Sequence, residues 1–170
     1  MVDRFSRDQL ALLLRRYLGC RITNDELADE APYNSEDPGI QPVYEYAWHL
    51  YDDLSTHRAE GKHALSPEVR RMVTRWIVFL HGDHEYRWPP FSFLQIYNWP
   101  LNLLTLGCWE RRKRGRFEVF RGSGQFKVWP FFTMAEYKAA LSSPRFLAAV
   151  RRDPPSDGPD VQPFQHSTRR

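Results

Sequence analysis

The sequence predicts a mainly α, single-domain helical bundle of about five to seven helices, with at most a short extended segment near 125–130. Three observations carry this expectation. Apolar residues recur at three- and four-residue spacing, Ser/Thr…Glu/Gln pairs head these stretches, and loops rich in proline and glycine separate them. At 170 residues the chain has the size of one domain, and 42% hydrophobic residues with six Trp can fill its core.

Ser6 with Gln9 reads as a capping box opening a first helix, in which Leu10, Leu13, Leu14, Tyr17 and Leu18 form the apolar face and Gly19 the stop. Thr23 with Glu26 repeats the box at a shorter helix that ends before Pro32. APYNSEDPGIQ (31–41) is a loop, and Pro42 suits the first position of a third helix. Val43, Ala47, Leu50, Tyr51 and Leu54 line its inner face; Glu45, His49, Asp52 and Asp53 are expected outside. Ser66, Pro67 and Glu68 then start the most regular amphipathic stretch, carrying Val69, Met72, Val73, Trp76, Ile77 and Leu80. HGDHEYRWPPF (81–91) is a loop, since a proline bars the residue before it from helical conformation.

Leu94, Tyr97, Leu101, Leu104 and Cys108 predict a helix apolar on nearly all faces, closed by the basic run ERRKRGR (110–116), whose charges would suit the C-terminal end of the macrodipole. GSGQFKVWPFF (122–132) suits a short extended segment, and Thr133 with Glu136 caps a last helix through about Leu141. The helical domain is thus expected over 1–150. Residues 151–170, dominated by proline, glycine and charge, form a polar tail expected to be disordered.

Cys20 and Cys108 belong to no CxxC pair, and neither a signal-peptide pattern nor a membrane-length apolar run is present, so a cytoplasmic protein is expected. There is no GxSxG, no phosphate-loop motif and no cofactor fingerprint, so no catalytic residue and no cofactor are assigned. His81, Asp83 and His84 are the densest potential metal ligands and support an alternative reading as a metal-dependent hydrolase. Their loop spacing, however, lacks the helical HExxH arrangement that sets two imidazoles on one face.

Charge is unevenly distributed behind a net +3. Between Ile22 and His57 stand nine acidic residues and no Lys or Arg. A solvated face explains such a run; so does a docking surface for a basic partner, because Tyr33, Tyr44, Tyr46, Trp48 and Tyr51 lie among the acids. Tyr44, Glu45, Trp48, Asp52 and Asp53 are the candidate partner-binding residues. Arg111, Arg112, Lys113, Arg114 and Arg116, with Trp109 or Phe117 to stack on bases, are the nucleic-acid alternative, which the acidic third opposes.

The stretch LLLRRYLGCRITNDELADE (12–30), a leucine-rich helix, a Tyr-Leu-Gly turn and a capped acidic helix, resembles the opening of small helical bacterial immunity proteins that guard against polymorphic and colicin-like toxins. The resemblance implies a cytoplasmic, non-enzymatic inhibitor that blocks a toxin, often a basic nuclease, with an acidic surface. The positive net charge and aromatic second half differ from the usual acidic member and leave the toxin class open. The remainder, including HEYRWPPFSF and GQFKVWPFF, is similar to a bacterial family from which no functional residue carries over.

Overall fold

The computed structural model describes residues 1–48, 55–91 and 108–142, with side chains from 114 onward in the last of these stretches. They form six α-helices and no strand: α1 (Arg4–Leu18), α2 (Asn24–Glu30), α3 (Ile40–Ala47), α4 (Pro67–His81), α5 (Cys108–Gly122) and α6 (Met134–Ser142). The chain is mainly helical, as its periodicity predicts. The predicted helix over 94–108 and the tail after residue 150 lie outside the described residues, Cys108 apart.

The first helix starts earlier than expected. Asp3, not Ser6, is the N-cap, its side chain accepting from Ser6 N at 3.1 Å, and Gln9 instead donates to Glu30 O at 2.8 Å, tying α1 to the end of α2. An ionised cap is favoured at the positive end of the helix dipole, and this moves the start. The capping box of α2 forms as predicted: Thr23 Oγ1 accepts from Glu26 N at 3.2 Å and Glu26 Oε2 from Thr23 N at 2.8 Å. Pro42 falls third in α3 and not first. In α4, Ser66 caps and Pro67 leads, as expected.

Two further expectations are corrected. The basic run does not close a helix; it lies inside α5, which continues to Gly122 because Phe117 and Phe120 give its second half an apolar face. The segment near 125–130 is not extended. Phe126–Val128 form a 3₁₀ turn, with Val128 N donating to Gln125 O and Trp129 N to Phe126 O, and the Trp129–Pro130 bond is cis. At α6, Thr133 Oγ1 accepts from Glu136 N at 3.3 Å, while the Glu136 carboxylate reaches Phe132 N instead of Thr133 N.

The core is contiguous. Leu10, Leu13, Leu14 and Tyr17 of α1 pack chiefly against Val73, Trp76, Ile77 and Leu80 of α4, with α3 set on both. Trp76, Trp129 and Tyr46 meet edge to face with centroids 5.3–5.8 Å apart. Trp88 Nε1 donates to Pro130 O at 3.0 Å, and its ring lies against Phe120, Phe126 and Phe132. Among the described residues no helix is long and apolar enough to cross a membrane.

Candidate functional site

The loop between α2 and α3 is held from beneath by a buried ion pair. Asp37 accepts from its own turn at Gly39 N (2.8 Å), from Asp3 N (2.9 Å), and from Arg7 Nε and Nη2 (2.7 and 2.9 Å). Both charged side chains are fully inaccessible. Arg7 also donates to Gly82 O at 3.2 Å and His84 O at 2.8 Å, and its guanidinium lies 4.9 Å from the Phe79 ring centre. Burial alone raises the Asp37 carboxyl; the hydrogen bonds from Arg7, Gly39 and Asp3 outweigh it and hold the group below its ordinary value. Ser35 Oγ donates to the second oxygen of Asp3 at 2.8 Å, so the helix cap also anchors the loop.

On the solvent side of this anchor lies an open cleft of about 590 Å³, lined by Asp3, Ser6, Tyr33, Ser35, Glu36 and Asp37 among others. Tyr33 forms its exposed wall and continues into an aromatic row. Its ring stacks on Tyr44 with centroids 6.4 Å apart, and Tyr44 meets Trp48 edge-on at 5.8 Å. Burial, then Tyr33 and Asp29, push the Tyr44 hydroxyl above its ordinary value, so Asp29 stands beside this row. Asp29 and Glu36 are exposed, as are Asp25, Glu26 and Glu30 of α2.

Of the candidate partner-binding residues, Tyr44 and Trp48 are therefore brought together, half-buried. Glu45 is corrected: it is 3% exposed, accepts from Gln41 at 3.0 Å and stands near the Tyr86 hydroxyl. Position 45 turns inward because α3 is covered on more than one side. Asp37 is likewise inside, so the acidic run is not one solvated face. His49, Tyr51, Asp52 and Asp53 lie outside the described residues.

The potential metal ligands diverge. His81 Nδ1 lies 3.2 Å from Asp8, Asp83 pairs with Arg4 at 3.1 Å, and the His84 ring packs against Phe131. Among the described residues no three His, Cys, Asp or Glu side chains are grouped to hold a metal. Arg114 and Arg116 are exposed, while Phe117 is half-buried and packs against Phe91, Phe120 and Phe126. The side chains of Trp109, Arg111, Arg112 and Lys113 lie outside the described residues.

Periodicity missed Arg7, Asp3 and Ser35 because their roles join segments 30 or more residues apart. The one local signal was Asp-Pro-Gly at 37–39, where an Asp side chain commonly accepts from the backbone two residues on. Comparison with known proteins gives no match to any family model, to any curated protein or to any solved structure.

Proposed function

We propose that this chain is a non-enzymatic binding protein, an immunity-like inhibitor of a bacterial toxin, which takes a basic protein partner on the acidic cleft and the aromatic row beside it. The observation that carries the reading is the position of Tyr33, which both walls the cleft and stacks on Tyr44. Aromatic rings joined to an acidic concavity suit Lys and Arg side chains, which gain contact with the ring faces as well as charge pairing. The exposed carboxylates of Asp29, Glu30 and Glu36 would speed encounter with a basic partner.

The test uses the partner that the full chain captures from a bacterial lysate, followed by binding kinetics on the purified pair. Asp29→Lys with Glu36→Lys should slow association about tenfold at low salt, and Tyr33→Ala should speed dissociation, with circular dichroism unchanged. Rates equal to wild type in both variants, or capture of acidic proteins only, would sink the reading.

A further inference from the structure

A second cleft lies between α4 and α6, away from the acidic loop, and its lining has the opposite charge. It measures about 550 Å³ and is lined by Glu68, Arg70, Arg71, Met72, Arg75 and Tyr137 among others. Positions 68, 71, 72 and 75 follow the one-face spacing of a helix, so Arg71 and Arg75 stand one turn apart on the same side of α4. Two like charges so placed repel each other unless an anion lies between them.

The three arginines are held differently. Arg70 donates to Leu18 O at 3.2 Å. Arg71 reaches Glu68 at 3.1 Å, but both side chains are 74% exposed, so the pair is readily exchanged for another anion. Arg75 is half-buried, its Nε donating to Trp129 O at 2.8 Å, which fixes the guanidinium plane. Among the described residues no carboxylate pairs with Arg75. Burial pulls its pKa below the usual arginine value, opposed by Tyr137 and Tyr46, so Arg75 is a partly desolvated cation.

We infer that this cleft binds the phosphate group of a small phosphorylated molecule, with Arg71 and Arg75 as the two forks and Met72 and Tyr137 against its organic part. Two guanidiniums present more donors than one carboxylate accepts, whereas a phosphate monoester offers three oxygens and up to two charges. Glu68 is the competitor for Arg71 and must swing away as the ligand enters. The cleft is independent of the toxin-binding reading, sharing no residue with the acidic loop.

The experiment is calorimetric titration of the full chain with inorganic phosphate, phenyl phosphate and acetate at constant ionic strength. Wild type should bind both phosphates saturably, phenyl phosphate the more tightly, and acetate at least about tenfold more weakly. Arg71→Gln, an exposed position that leaves the fold intact, should weaken phosphate about tenfold, and Glu68→Gln should strengthen it. Arg16→Gln, exposed on α1 and outside the cleft, should change nothing. Absence of saturable phosphate binding, equal binding of acetate, or equal losses in Arg16→Gln and Arg71→Gln would overturn the assignment.

Discussion

Arg7 and Asp37 form a charge pair with no accessible surface, and such a pair is costly to break from one side. Arg7→Met should lower stability by about 3–5 kcal/mol in denaturant unfolding, because it strands a buried carboxylate, whereas adding Asp37→Leu should recover only part of that loss, since Gly39 N and Asp3 N then lose their acceptor. Since the folded Asp37 carboxyl lies below its unfolded value, its stabilisation is complete above about pH 4 and is lost as pH falls through the folded value. Asp37→Asn should therefore flatten the acid limb of the stability curve. His81 behaves in the related way for a base. Burial lowers its pKa against the hydrogen bond to Asp8, so its contribution is present above about pH 6.5 and lost on acidification. An NMR titration should place its midpoint below that of a free histidine; a midpoint at or above it would show that Asp8 dominates.

At the scale of single elements, the caps were the most legible features. Thr23 and Glu26 satisfy each other's backbone groups within four residues, so nothing distant intervenes, and Thr23→Ala should cost about 1 kcal/mol in thermal or denaturant unfolding. The start of α1 lies three residues before the Ser6 cap that local spacing predicts, because Asp3 and Ser6 both fit a cap and Ser35 and Asp37 from another loop hold Asp3 in place. A single helical stripe predicts Glu45 outside, whereas α3 is covered on further sides and buries this carboxylate. Gly39 shows the same dependence on distant groups. A β-carbon there would stand 3.0 Å from Arg7 Nη2 and from Phe79, so Gly39→Ala should destabilise by about 1–3 kcal/mol through crowding of the ion pair.

For the molecule as a whole, six Trp announced a filled core, and Trp76, Trp88 and Trp129 are inside it, but composition cannot say which rings meet. The contacts of Trp129 with Trp76 and Tyr46 join the segment before α6 to α3 and α4. Trp129→Ala should cost about 3–5 kcal/mol, and wild-type fluorescence and far-ultraviolet dichroism should report one coincident transition. The helical class was legible because periodicity and caps are local; the acidic cleft was not, because its walls come from α1 and a loop that only folding brings together. That anchoring has a consequence for association. Asp3 and Arg7 clamp residues 35–39, so the cleft is preorganised. Under the proposed function, little ordering entropy would be lost on docking, and more of the contact energy at Tyr33 and Glu36 would remain as affinity.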